Sequence, residues 1–115
     1  MEIVKSKYDT FEVVDSVPAR YTIWNIGANM PEGYLPMCEM VGTDNFSVRT
    51  DTLKAIKLPE AQTILAAIGG GQNTVEKMEA YIKRYKNAKK GTWAHHQVER
   101  MKKALPILRE AKIWG

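Results

Sequence analysis

Hydrophobic side chains in the first half of the chain follow the spacing of β-strands. In residues 10–15, apolar side chains partly alternate with polar ones, and residues 21–26 are rich in β-branched and aromatic side chains. Such residues fit a pleated, half-buried surface. Because the connection between the two runs contains the turn-forming Pro18, we expect them to form an antiparallel hairpin.

Further apolar runs extend the predicted sheet. Residues 34–40 are largely apolar but include Pro36, which has no N–H to donate to a neighbouring strand. We therefore expect this third strand to lie at a sheet edge or to begin after the proline. Residues 46–49 add a fourth short strand, whereas residues 53–58 fit a strand or a helical turn equally well.

The second half of the chain has the periodicity of helices. Pro59 suits the first position of a helix, and the glycines at residues 69–71 stop that helix. Asn73 is a good N-cap for a second helix, which Gly91 ends. In a third segment Pro106 predicts a kink or two short helices. The third segment has apolar residues at helical spacing: Trp93, Val98, Met101, Leu105 and Leu108.

Length and composition indicate one globular domain. The chain has 115 residues, of which 44% are hydrophobic and 26% charged. We predict an α+β fold over residues 1–115, with a small antiparallel sheet of three or four strands from residues 1–58 packed against about three helices from residues 59–115. Cys38 is the single cysteine, and the sequence shows neither a signal peptide nor a long apolar run. We therefore expect a soluble, cytoplasmic protein without membrane contact.

The charge is distributed unevenly between the two halves. Residues 1–58 carry six Lys or Arg and eight Asp or Glu, whereas residues 59–115 carry eleven and five. The first half therefore has a formal charge of −2 and the second +6. A basic half favours nucleic acid or another polyanion as partner, and the alternative is an ordinary solvated helix surface.

The segment around the glycine turn resembles a helix-turn-helix unit of DNA-binding proteins. An aliphatic residue and a glycine, Ile68 and Gly69, are followed by Thr74 and Val75 at the spacing of such units. The resemblance implies that the second helix contacts base edges or phosphates, whereas a plain αα-hairpin is the alternative. The predicted nucleic-acid-binding residues are Gln72, Asn73, Lys77, Lys83 and Arg84.

Other chemistry has weaker support in the sequence. Residues 69–71 match no phosphate-binding glycine motif, so a helix end is favoured over an anion site there. His95 and Glu99 share a helix face, but with His96 they do not complete a zinc site. Cys38 lies in an apolar run, which favours an inert thiol over a nucleophile paired with histidine. We therefore predict no catalytic residues, no metal and no cofactor, and hence no enzyme.

The resulting hypothesis is a small, non-enzymatic protein that binds nucleic acid, DNA in particular, through its basic helical half. The alternative is a non-catalytic protein-interaction module, or a protein that self-associates. It would use the predicted edge strand at residues 34–40 or the apolar C-terminal residues Ile113 and Trp114.

Overall fold

The computed structural model of the protein describes residues 1–24, 29–42, 47–68 and 73–111. Strands precede helices along the chain, which confirms the α+β class with helices in the C-terminal half. The strands are β1 (Ile3–Lys5), β2 (Thr10–Val14), β3 (Tyr21–Ile23), β4 (Tyr34–Met40) and β5 (Val48–Lys57). The helices are α1 (Ala61–Ala67), α2 (Val75–Arg84) and α3 (Trp93–Glu110).

The described strands form one mixed sheet in the order β1-β2-β5-β4-β3. β2 and β5 are parallel, and the other neighbouring pairs are antiparallel. The prediction of three or four antiparallel strands was therefore wrong. The three-residue strand β1 was not predicted, and the segments considered separately at residues 46–49 and 53–58 overlap the one long strand β5.

The predicted hairpin between β2 and β3 is also wrong, because β5 and β4 lie between those strands. The hairpin partner of β2 is β1, with Val4 opposite Phe11 and both side chains buried. A tight turn joins them: the amide of Ser6 donates to the carbonyl of Asp9 at 2.9 Å, and the amide of Asp9 donates to the Ser6 hydroxyl at 3.1 Å. A short polar turn of this kind closes a hairpin more readily than the longer segment around Pro18.

β4 is an interior strand, although it contains Pro36. The carbonyl of Pro36 accepts a hydrogen bond from the Trp24 amide at 3.1 Å, so the proline nitrogen also faces the β3 side. β3 ends at Ile23, and the missing N–H therefore falls just beyond the regular ladder. The expected edge position was wrong, and residues 34–40 do not offer a free sheet edge to a partner.

Two helices begin close to their predicted starts, but α2 ends earlier than predicted. Glu60 is the N-cap of α1, which places Pro59 before the helix. Thr74 caps α2, because its hydroxyl accepts a hydrogen bond from the Lys77 amide at 3.1 Å. α2 ends at Arg84, well before Gly91.

α3 continues through Pro106 as one helix, so of the two expected outcomes, a kink or two short helices, the division into two helices is wrong. Val98, Met101, Leu105 and Leu108 are buried as their spacing predicts, whereas Trp93 is exposed. Within the residues that the structure covers, no helix is both long enough and apolar enough to cross a membrane.

The sheet and the helices share a hydrophobic core. α1 packs against β4, α3 packs against α1, and α2 packs against α3. Phe11 and Leu35 from the sheet belong to the same buried cluster as Ile64, Met78 and Leu108 from the three helices. The side of the helical layer formed by α2 and α3 carries the residues of functional interest.

Candidate nucleic-acid interface

Asn73, one of the predicted nucleic-acid-binding residues, is only 8% exposed and holds the start of α2 against the sheet. The side-chain Nδ2 of Asn73 donates a hydrogen bond to the backbone carbonyl of Ile23 at 3.2 Å. The backbone carbonyl of Asn73 accepts one from the Thr22 hydroxyl at 3.3 Å. Its Oδ1 accepts a longer hydrogen bond from Lys77 Nζ at 3.4 Å. The Asn73 amide is therefore engaged inside the fold, and Lys77 is partly buried beside it.

This arrangement makes Asn73 a structural residue in our interpretation. Asn73→Ala is expected to lower the free energy of unfolding by about 1–3 kcal/mol, because it leaves a buried carbonyl acceptor without its donor. Chemical denaturation followed by circular dichroism measures the loss. Asn87→Ala, in the exposed turn after α2, is the matched control and is expected to change stability by less than about 0.5 kcal/mol. Equal stability of the two variants would contradict the structural role.

Gln72 and the glycines of residues 69–71 lie outside the described residues. The structure therefore leaves the turn of the helix-turn-helix-like segment as a prediction. On either side of that turn, α1 and α2 both pack against α3. Ile113 and Trp114, considered as a contact for a protein partner, also lie outside the described residues.

Lys83 and Arg84 lie on the exposed last turn of α2, where positive charge complements the helix dipole. They begin a basic segment, which we define as residues 83–98. It contains five Lys or Arg and neither Asp nor Glu. The positive charge predicted for the second half of the chain is thus locally concentrated where α2 turns into α3.

Cationic side chains from both helices line one groove, which we call the α2–α3 groove. The groove has a volume of about 410 Å³ and an apolar floor of Ile82, Leu105 and Pro106. Its charged lining residues are Lys83, Lys86, Lys102, Arg109 and Glu79. Four cations therefore face one carboxylate, and that carboxylate forms an ion pair with Arg109. The groove can bind anionic groups along its rim and apolar groups at its floor.

The sequence interpretation singled out Lys83 but missed Lys86, Lys102 and Arg109. Their spacing contains a usable signal. Lys83 and Lys86 are three positions apart, and Lys102 and Arg109 are seven apart, so each pair lies on one face of its segment. What the sequence does not provide is which face of α2 meets which face of α3.

Acidic residues of the sheet are paired within the sheet. Lys54 Nζ donates to Glu12 at 3.0 Å, and this hydrogen bond raises the pKa of Lys54. Arg49 lies 3.6 Å from Glu39 and 3.1 Å from Asp51, and the hydrogen bond from Arg49 lowers the pKa of Asp51. These pairs keep their carboxylates on the strands, away from the residues that line the α2–α3 groove.

The residues considered above for catalysis or metal binding do not line the α2–α3 groove; they are Cys38, His95, His96 and Glu99. Cys38 is buried in β4, and desolvation, with smaller contributions from Asp9 and Asp51, raises the pKa of its thiol to about 12. Such a thiol is a poor nucleophile near neutral pH. His96 is exposed, with its ring 6.5 Å from the indole of Trp93. In the described part of the chain, no three His, Cys, Asp or Glu side chains lie together as metal ligands would.

Comparisons of this chain with models of protein families, with curated proteins and with solved structures found no match. The α2–α3 groove and the basic segment, by their charge and geometry, are therefore the features from which a function is inferred.

Proposed function

We propose that the protein is a non-enzymatic nucleic-acid-binding protein that contacts the phosphate backbone through the α2–α3 groove. One observation carries the proposal: cations from two separate helices line the same groove, and a single carboxylate accompanies them. Phosphates are spaced regularly along nucleic acids, and lysine and arginine side chains displace their counterions on binding. A groove of this charge provides several such contacts side by side.

The proposal assigns phosphate contacts to exposed residues and leaves Asn73 in its structural role. Lys83 and Arg84 remain from the sequence-based set, joined by Lys86 and Lys102. Backbone contacts carry no sequence information, whereas base edges are recognised by side chains that project into a groove of the nucleic acid. Because the Asn73 amide is occupied by Ile23, we expect binding with little sequence preference.

Charge reversal in the groove tests this function. Lys83→Glu together with Lys86→Glu is expected to weaken binding of a labelled oligonucleotide about tenfold or more. The slope of the logarithm of the affinity against the logarithm of the salt concentration is expected to fall by about two, one for each lost phosphate contact. Fluorescence polarisation between about 50 and 200 mM salt measures both quantities. Lys5→Glu together with Lys7→Glu changes the net charge equally, but on and just after β1, which does not border the groove.

The control pair is expected to bind almost as tightly as the unchanged protein. If both double variants lose the same affinity, binding depends on overall charge and the groove is not the site. If the unchanged protein binds no nucleic acid at low salt, the proposed function is wrong.

The alternative function, a protein-interaction module, is supported by the apolar floor of the groove. Ile82, Leu105 and Pro106 suit the apolar face of an acidic helical segment, whose carboxylates would pair with the cationic rim. A labelled acidic helical peptide distinguishes the two functions: an interaction module binds the peptide and no oligonucleotide at low salt, whereas the proposed function requires binding of the oligonucleotide.

A further inference from the structure

Trp93, the first residue of α3, presents a large aromatic side chain to solvent. It is 69% exposed, although its spacing along the sequence predicts a core position. The five cations of the basic segment all precede it in sequence, and the nearest, Lys90 and Lys89, lie three and four positions before it. Exposed tryptophan beside clustered cations is the combination with which proteins bind unpaired bases and their phosphates.

Hydrogen bonds fix the start of α3, where Trp93 lies, relative to the backbone of Lys89. The Thr92 hydroxyl donates to the Lys89 carbonyl at 2.6 Å, and the Thr92 amide donates to the same oxygen at 3.1 Å. The hydroxyl also accepts from the His95 amide at 3.3 Å, which caps α3. The turn and the first residues of α3 therefore form one ordered backbone unit, from which the Trp93 side chain projects into solvent.

The position of Trp93 relative to the α2–α3 groove restricts the shape of the ligand. Trp93 and Lys102 are nine residues apart, so they lie about 14 Å apart along α3 and about half a turn apart around its axis. A ligand that contacts both must curve part of the way around α3. A flexible single strand follows such a path, whereas a duplex is stiff over this length.

We infer that the protein prefers single-stranded nucleic acid and that Trp93 stacks on an unpaired base while the basic segment and the α2–α3 groove hold the neighbouring phosphates. The inference rests on the proposed function and names its ligand class. In a duplex the faces of the bases are covered by their neighbours, so the indole has no base to stack on along the helix.

The test compares Trp93→Ala and Trp93→Phe with the unchanged protein. Polarisation titrations use a single strand of about 20 nucleotides and the duplex of the same sequence. Trp93→Ala is expected to weaken single-strand binding about fivefold to a hundredfold and duplex binding by less than about twofold. Trp93→Phe keeps an aromatic face and is expected to recover most of the single-strand affinity. Circular dichroism verifies that both variants are folded.

Tyr8→Ala is the matched control. Tyr8 is also a highly exposed aromatic residue, and its ring lies 5.3 Å from the ammonium group of Lys7, but it belongs to the turn between β1 and β2. This variant is expected to bind both ligands as the unchanged protein does. The inference is overturned if Trp93→Ala leaves single-strand affinity unchanged, or if it weakens both ligands equally.

The outcome for the inference is distinguishable from that for the proposed function. If Lys83→Glu with Lys86→Glu weakens binding and Trp93→Ala does not, the nucleic-acid function stands and the stacking role is wrong. If the unchanged protein binds neither single strand nor duplex, the proposed function fails first, and the preference for single strands fails with it.

Discussion

Phe11→Ala is expected to lower the free energy of unfolding by about 3–5 kcal/mol, because it removes a fully buried ring and leaves a cavity that its neighbours fill only in part. Phe11 lies on β2, opposite Val4 of β1, and β5 separates its strand from β4, where α1 packs. Its loss therefore acts first on the sheet.

The informative measurement is the unfolding of the helices in this variant. Phe11 belongs to the same buried cluster as Met78 of α2 and Leu108 of α3. If residues 1–111 fold as one unit, helical circular dichroism and tyrosine and tryptophan fluorescence shift together to lower denaturant concentration. A helical transition that stays in place would contradict the predicted single domain and would divide the chain near residue 58.

Two further variants keep the experiment decisive. Ile3→Ala removes an apolar side chain that is 45% exposed on β1, and it is expected to cost less than about 1 kcal/mol. Phe11→Leu retains most of the buried volume and is expected to cost less than Phe11→Ala. It tests the coupling of the two transitions even if Phe11→Ala does not fold.

The fold class was predictable from the sequence because helix periodicity is local. The apolar spacing of α3 identifies four of its buried residues. Strand pairing is not local. β2 pairs with β5 across more than 40 residues of sequence, and nothing in the alternation of Thr10–Val14 identifies that partner. Nor does the sequence show that β3 ends at Ile23, so that the Pro36 nitrogen, which has no hydrogen to donate, lies just beyond the paired residues.

The candidate site was predictable only in its charge. The excess of lysine and arginine after residue 58 points to Lys83 and Arg84, which the structure places on an exposed helix turn. The burial of Asn73 was not predictable, because its acceptor, Ile23, lies 50 positions away. The exposure of Trp93 was likewise hidden, since helical spacing alone places it among core residues.

The thiol of Cys38 is expected to react with a disulfide reagent about a thousandfold more slowly in the folded protein than in guanidinium chloride at about pH 8. Burial in β4 raises its pKa from 9.0 to about 12, and Asp9 and Asp51 add to the shift. Because the thiolate is the reacting species, three pH units of difference lower its concentration by about that factor. Stopped-flow absorbance with and without denaturant measures both rates, and similar rates would place the thiol at the surface.

The same shift gives the stability of the protein a pH dependence of defined sign. Between pH 9.0 and about 12 the unfolded chain loses the Cys38 proton while the folded protein retains it, so the free energy of unfolding falls as the pH rises through this window. Lysine and tyrosine also titrate there, and Cys38→Ala is therefore the reference. The difference in stability between the unchanged protein and this variant isolates the thiol. A difference that stays constant from pH 8 to 11 would show that folding leaves the Cys38 pKa near its ordinary value, and a reactive thiol on β4 would then have to be considered again.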